Sequence, residues 1–286
     1  MWKRKWVIIA GLVALTAIAL SLVAAAPADA GPPDPGPLPP GLAAKVFIHY
    51  DNGHRPGVDK TSAAVCSDTS AAICDDYAIG TTSGGLRIKW ADPTGGGVGI
   101  PYYVNLNYST QKSPSLTGTA ALVAIDASFA AWEAASDAGL NYTNKGLTSN
   151  RVGVLDGKNV VGWKGMNPGI LAVTTTWYYA NTGKIAETDM AFNNNYSWTY
   201  TVPVCNSDGI PACNPATYED PANSGVANTV DLRNIATHEA GHTLMLLDLY
   251  ASNEQNLTMY GYGAYAQLKK DTLALGDDLG VKAIYP

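Results

Sequence analysis

Short apolar runs, bounded by glycine, proline or asparagine, recur along the middle of the chain and predict β-strands. We predict strands at residues 46–50, 86–90, 102–107, 159–163, 170–179 and 187–192. The turn at 180–183, which ends in Gly183, joins the last two strands and predicts an antiparallel hairpin. Residues 61–85 show no clear period and predict no element.

Helical periodicity appears first at residues 119–138, with Gly139 as the stop. The apolar positions of this segment recur every three or four residues, at Leu122, Ile125, Phe129 and Trp132. That face should pack into the core. A second helix should begin near Asp231, a favourable N-cap, and a third should span about 277–285.

The first thirty residues have the pattern of an export signal. Three basic residues precede an apolar run at 7–26, and the small residues at 28–30 suit a signal peptidase. We expect cleavage after Ala30 and a secreted protein. An uncleaved membrane anchor facing outside is the alternative, because the run is about long enough to span a bilayer. Residues 31–44 are proline-rich and predict an extended spacer, so the folded part should begin near Lys45.

The charge balance argues against a nucleic-acid partner. The chain has 286 residues, a net charge of −6 and 47% hydrophobic residues, enough for a sizeable core. Residues 1–30 carry three basic and one acidic side chain, or +2, which leaves −8 on the rest. A body of that charge is repelled by phosphate backbones and by anionic lipid.

Four cysteines fall into two pairs with equal spacing, Cys66 with Cys74 and Cys205 with Cys213. In an exported chain the simplest interpretation is two local disulfides, although four cysteines allow three pairings. No C-x-x-C is present, which argues against a metal site built from them.

The clearest chemical signal is an H-E-x-x-H pattern formed by His238, Glu239 and His242. Residues four apart lie on one face of a helix, so both imidazoles can bind one ion, and Glu239 can reach a water on that ion. The pattern also arises by chance, so a coincidence in a β-rich surface protein is one alternative. We interpret the other histidines, His49 and His54, as surface or structural residues.

A wider resemblance surrounds this pattern. It rests on residues 231–242, Asp248, Met259 within 257–260, and the closing stretch 275–285. Together they resemble the metzincin metallopeptidases, nearest to the matrixin-like and snapalysin-like branches. Upstream the resemblance is weaker and begins at about Arg87. There Leu171 and Ala172 resemble the family's substrate-edge strand, residues 187–192 the strand after it, and Trp198 the aromatic residue that follows.

The resemblance implies an α+β fold with a twisted, mixed five-stranded sheet, a long helix, an active-site helix and a C-terminal helix. It places Met259 in a turn beneath a single catalytic zinc, with Asp248 as the third zinc ligand. The histidines of a second, structural zinc are absent, since Val173 and Ala191 occupy the apparent places. Calcium bound by loop carboxylates or carbonyls is left open.

One departure from the family concerns the path from His242 to Asp248. The family usually has glycine three residues after the second histidine, whereas this chain has Met245. A helix continued at 100° per residue would place Asp248 about 80° from His238 and about 120° from His242. Either Met245 tolerates a turn under strain, or the third ligand lies elsewhere. We favour Asp248, and the fallback carboxylates are Glu254 and Asp277.

These features predict a secreted zinc endopeptidase in which Glu239 is the general base for a metal-activated water. Protein or peptide substrates would add as a strand to 170–179, and we expect a monomer. Residues 261–267 would line the specificity pocket. The predicted substrate-binding residues are Leu171, Ala172, Val173, Thr174, Tyr262 and Tyr265, the tyrosines either assisting or only packing the pocket wall.

The competing hypothesis is a catalytically weak or inactive zinc-binding adhesion domain with the same fold, encouraged by Met245 and Asp248. The cysteine of an autoinhibitory prosegment is not recognisable, because Cys66 and Cys74 lack its flanking residues. We divide the chain into a signal at 1–30, a spacer at 31–44, an N-terminal segment at 45–85 that is either a short pro-region or part of the catalytic domain, and the catalytic domain at 86–286.

Overall fold

A computed structural model describes residues 35–54, 76–91, 97–107, 116–135, 139–201 and 225–286. The predicted export signal and all four cysteines lie outside these ranges, so their predictions stay predictions. Within the ranges, every helix is too short or too polar to cross a bilayer.

The described residues form nine strands and three helices, and six of the strands follow one another between the first and second helices. The strands are β1 (Leu42–Asp51), β2 (Val98–Asn105), β3 (Leu140–Leu147), β4 (Val160–Lys164), β5 (Ile170–Tyr179), β6 (Ile185–Asn193), β7 (Trp198–Thr199), β8 (Val230–Asp231) and β9 (Tyr262–Gly263). The helices are α1 (Gly118–Ala135), α2 (Leu232–Thr243) and α3 (Leu275–Ile284). The first strand begins at Leu42, before the predicted start near Lys45, and therefore takes the end of the predicted spacer.

The main sheet has seven strands in the order β3-β2-β4-β6-β5-β1-β9, and β7 pairs with β8 in a second, small sheet. The pairs β6–β5 and β5–β1 are antiparallel, and the other four pairs are parallel. The α+β class is confirmed, but the five-strand count is wrong. Both β1 and β9 add beyond β5, and β1 comes from the chain before Arg87, where the family likeness does not reach.

The predicted strands also differ from the structure at residues 86–90 and at β3. Residues 86–90 form no regular strand and make only isolated bridges, one of them between Lys89 and Lys184. The backbone of Lys89 is hydrogen-bonded to Gly183 O and Ile185 N, so this segment packs against the β5–β6 turn and does not pair along a strand. The strand β3 was not predicted, because it is an exposed edge strand with few apolar positions.

The predicted β5–β6 hairpin and the helices α1 and α3 are present. Ile125, Phe129 and Trp132 of α1 are buried, whereas Leu122 is partly exposed. The Trp132 indole donates a hydrogen bond to Thr237 O of α2 at 2.8 Å, which locks the two helices together. The predicted end of α1 at 138 lies beyond the residues described there.

Asp231 is the N-cap of α2, as predicted. Its backbone is extended, and its carboxylate accepts hydrogen bonds from Asn234 N at 3.0 Å and Thr201 N at 2.8 Å. Such a cap contributes about 1 kcal/mol to helix stability. The first turn then buries Leu232 and Ile235, so the cap fixes both the start and the rotation of the helix that carries His238.

Candidate metal centre

The turn that brings Asp248 back to the helix occurs at Met245. The helix ends at Thr243, and Met245 has φ 74°, the left-handed conformation that glycine usually supplies at this place. Hydrogen bonds from Met245 N to His242 O at 3.0 Å and from Leu246 N to Gly241 O at 3.1 Å close the turn. Met245 therefore tolerates the turn, at a strain of about 1–2 kcal/mol.

Residues 76–91 brace this strained turn. Gly80 N donates to Met245 O at 2.8 Å, and Leu247 N donates to Ala78 O at 2.8 Å. The Met245 side chain is fully buried, and a Cβ on Gly80 would lie 3.1 Å from its methyl group. Packing of the side chain and pairing of the backbone thus hold a conformation that the residue type disfavours.

Three donor atoms converge where the turn meets α2. His238 Nε2 lies 3.0 Å from His242 Nε2, and Asp248 Oδ1 lies 3.1 Å from the first and 3.3 Å from the second. Both imidazoles are fully buried, and the Asp248 side chain is 9% exposed. The three predicted ligands form one compact triangle.

Hydrogen bonds on the far side of each ring fix its orientation. His238 Nδ1 lies 2.7 Å from Thr258 O, and His242 Nδ1 lies 2.7 Å from Leu246 O. A carbonyl only accepts, so each Nδ1 carries the proton and donates it, and each Nε2 presents a lone pair to the triangle. Backbone support of this kind is typical of metal-ligating histidines.

The donor set fits a zinc ion. A cation would relieve the repulsion between two lone pairs and a carboxylate oxygen that face one another, and Asp248 Oδ1 is buried without a hydrogen-bond partner among the described residues. Four donors at about 2.0–2.1 Å from one tetrahedral ion lie about 3.3 Å apart, close to the separations in this triangle. Nitrogen and carboxylate oxygen are both accepted zinc ligands.

The charge balance of the triangle also suits a cation. Burial disfavours the Asp248 anion, but His242 and His238 outweigh it and hold the pKa of Asp248 below its usual range. Burial, together with Lys270, lowers the pKa of His238 to about 3, so this imidazole is neutral at pH 7. Burial lowers the pKa of His242, but Asp248 outweighs it and raises that pKa overall. The carboxylate thus attracts positive charge to the site.

Met259 lies directly under α2. Gly241 stands between the two histidines, and a Cβ there would collide with the Met259 sulfur and lie 2.7 Å from the Trp132 ring. Only glycine lets the helix pack this closely. The Met259 turn is also tied to the Asp248 segment, since Leu249 N donates to Met259 O at 2.9 Å and Gly261 N donates to Leu249 O at 2.9 Å.

Glu239 lies beside the triangle and is fully buried. The Thr174 hydroxyl on β5 donates to its Oε2 at 2.5 Å, whereas Oε1 has no hydrogen-bond partner among the described residues. Burial raises the pKa of Glu239 to about 7, against the opposing influence of His242 and of the Thr174 hydrogen bond. A carboxylate with such a pKa can both take and return a proton near neutral pH.

Three residues near the triangle were missed or misassigned from the sequence. His49 was interpreted as surface or structural; the surface interpretation is wrong, because His49 is fully buried, with Nδ1 3.7 Å from Glu239 Oε1. Lys270 is also fully buried, with Nζ 3.3 Å from His238 Nδ1 and a hydrogen bond to Tyr260 O. Burial and the nearby Asp248 carboxylate raise the pKa of Tyr250. No local pattern distinguishes such residues, although His49 lies in a predicted strand; His54, in contrast, is half-exposed.

The fallback ligands lie outside the triangle. Glu254 Oε2 accepts a hydrogen bond from Ala251 N, and Asp277 Oδ2 accepts one from Ala274 N at the start of α3. Among the described residues, the groups of His, Asp and Glu that could hold an ion are the triangle and an overlapping one formed by His49, His238 and Glu239.

The predicted substrate-binding residues have different surroundings. Leu171, Ala172, Val173 and Thr174 lie in β5, and their strand is paired on both sides, with β6 and with β1. Val173 and Ala191, the apparent places of a second zinc's histidines, face each other as a buried apolar pair. Tyr262 is 7% exposed and packs edge-on against Tyr250 and Tyr260, whereas Tyr265 is 50% exposed, its ring 6.0 Å from that of Tyr196.

In comparisons with known proteins, none of the family models matches the chain, and no curated protein sequence matches it significantly.

Proposed function

We propose that the chain is a secreted zinc endopeptidase of the kind its motifs resemble, a metzincin. The observation that carries the proposal is the triangle of His238, His242 and Asp248, with separations of 3.0–3.3 Å, beside a buried glutamate. The turn at Met245 removes the main objection, because it returns Asp248 to the two histidines.

The side chains of the triangle would hold a zinc ion, which would supply a Lewis acid to polarise a peptide carbonyl and activate water near neutral pH. Glu239 then moves the proton. Its Oε1, which has no hydrogen-bond partner among the described residues, takes a proton from the attacking water, while the Thr174 hydroxyl holds Oε2 in place. The same oxygen returns the proton to the leaving amine, which completes peptide hydrolysis.

The geometry of β5 supports an extended peptide as the substrate. Thr174 contacts Glu239 from the middle of this strand, so a peptide paired with β5 in the place of β1 would pass beside the general base. Backbone pairing gives affinity without a fixed sequence, which suits a protein-degrading enzyme.

The direct test compares the wild type with Glu239→Gln, which keeps the shape of the side chain and removes its basicity. Both proteins should bind one zinc, and hydrolysis of denatured casein should fall about 10²–10⁴-fold in the variant. Undiminished hydrolysis in Glu239→Gln at equal zinc content would overturn the mechanism.

One observation favours the alternative, a zinc-binding adhesion domain without catalysis. The strand β1 lies over the triangle, with the Phe47 ring stacked on His242. The adhesion hypothesis predicts stoichiometric zinc with no hydrolysis in any variant, including those in which β1 is displaced.

A further inference from the structure

The strand β1 fills a gap one strand wide beside the candidate metal centre. It pairs antiparallel with β5, from Leu42 opposite Tyr179 to Tyr50 opposite Ile170, and parallel with β9 at Tyr50 and Asp51. In the described sheet β9 joins through β1 alone. Without β1, the backbone groups of β5 that face the gap would be unpaired, ready to bind another extended chain.

The side chains of β1 that face α2 cover the reactive groups. Successive residues of a strand point to opposite faces, so Phe47 and His49 point the same way. The Phe47 ring stacks on His242 with centroids 4.2 Å apart, and the His49 ring meets the edge of His238 at 4.0 Å. His49 Nδ1 also lies 3.7 Å from Glu239 Oε1, and no described residue forms a hydrogen bond with this nitrogen. Both zinc-facing imidazoles and the general base are therefore covered by one strand.

The end of β1 is held from both sides of the gap. Asp51 N donates to Gly169 O at 2.8 Å before β5, and Asn52 N donates to Gly263 O at 2.8 Å in β9. The Tyr196 hydroxyl donates to Asp51 Oδ2 at 2.6 Å. These contacts fix the register of β1, so the coverage by Phe47 and His49 is specific.

The outer face of β1 adds an apolar anchor that does not touch the reactive groups. Ile48 is 8% exposed and packs with Ile170 and Val173 in a small cluster separate from the main core. A change at Ile48 can thus loosen the strand without removing any side chain that covers the metal centre.

We propose that β1 occupies the place of an extended peptide substrate, so that the chain holds its own site closed until β1 is displaced. The segment Leu42–Asp51 fills the site and is held there by its backbone pairing with β5 and by the contacts of the Phe47 and His49 rings. This closure uses no cysteine. This proposal rests on the proposed peptidase function, but it can be tested by peptide binding alone, without measuring hydrolysis.

The test introduces a buried charge into β1. Ile48→Asp should displace the strand, and Val152→Asp is the matched control, because Val152 is also 8% exposed in an apolar cluster but lies outside β1 and β5. Both are made in a Glu239→Gln background to prevent cleavage. The probe is a fluorescently labelled peptide with the sequence of residues 42–51, with a scrambled peptide as its control, and binding is measured by fluorescence anisotropy.

We expect Ile48→Asp to bind the labelled peptide at least about tenfold more tightly than the wild type, because its gap is open in a larger fraction of molecules. Val152→Asp should match the wild type. Equal binding by Ile48→Asp and wild type, with circular dichroism showing both folded, would overturn the proposal. If Ile48→Asp does not fold, Ile48→Ala against Val152→Ala carries the same comparison, and equal binding by those two overturns it as well.

Restoring Glu239 separates this proposal from the peptidase function. Ile48→Asp should then hydrolyse a quenched peptide about tenfold faster than the wild type. A gain in peptide binding without any hydrolysis would support the closure by β1 and refute the proposed peptidase function. Hydrolysis that is equally fast in the wild type and Ile48→Asp would refute the closure and keep the peptidase.

Discussion

Replacing Met245 with glycine and with alanine tests the strained turn on which Asp248 depends. In ordinary helical backbone, glycine is less stable than alanine by about 0.5–1 kcal/mol, because it loses more conformational freedom on folding. Met245 has φ 74°, where any side chain is strained and glycine is not. The usual order of the two variants should therefore reverse at this position.

The magnitudes follow from two opposing effects. Both variants lose the fully buried methionine side chain, which costs about 2–5 kcal/mol. Only glycine recovers the strain of about 1–2 kcal/mol, against its own entropic cost of about 0.5–1 kcal/mol. Met245→Gly should thus be more stable than Met245→Ala by about 0.75 kcal/mol, the difference between the midpoints of these two ranges, although both are less stable than the wild type.

Leu244 provides the matched control, because it is the neighbouring residue, is also fully buried, and has a right-handed backbone with φ −95°. Leu244→Gly should be less stable than Leu244→Ala by about 0.5–1 kcal/mol. Urea unfolding in the presence of a chelator measures all four variants without a contribution from bound metal. If glycine is also the less stable variant at Met245, the backbone is not left-handed there and our account of the turn fails.

Three further predictions concern the centre itself. Gly241→Ala should lower the free energy of unfolding by about 1–3 kcal/mol or more, because the new methyl group meets the methionine sulfur and the tryptophan ring. The control Gly99→Ala, with open space around it, should stay within about 0.5 kcal/mol of the wild type in chemical denaturation. Similar losses for both variants would refute the close packing. Asp248→Ala should weaken zinc binding by at least about a hundredfold in a competition titration with a chromophoric chelator, and unchanged affinity would exclude Asp248 as a ligand. Burial raises the pKa of Glu239 to about 7 and the Thr174 hydrogen bond opposes that rise, so Thr174→Val should raise the pKa of Glu239 further. Because the base works only when ionised, the acid limb of the pH–rate profile should move to higher pH. A shift to lower pH would contradict the role of the hydroxyl.

The sequence predicts best where a pattern is local. The range of β5 is predicted to the residue, because its apolar run is bounded by a glycine and a turn. The N-cap of α2 is also predicted correctly, because capping depends on residues within one helical turn. The helical spacing of His238 and His242 likewise requires them to share a face.

The sequence predicts poorly what depends on distant partners. The strand at 46–50 is recognised, but its pairing with β5 joins residues more than a hundred positions apart, which no periodicity encodes. The burial of His49 depends on that pairing, so it could not be predicted from the sequence either. Met245 is recognised as a departure from the family pattern, but only the bracing by Gly80 and Ala78 shows why the turn is tolerated.

The zinc K-edge X-ray absorption spectrum of the zinc-loaded protein tests the metal centre most directly. Our account predicts only nitrogen and oxygen neighbours at about 2.0–2.2 Å, with the multiple scattering of two imidazoles, and a changed spectrum in Asp248→Ala. Sulfur neighbours at about 2.3 Å would show that the cysteines bind the metal, and would contradict a centre built from His238, His242 and Asp248.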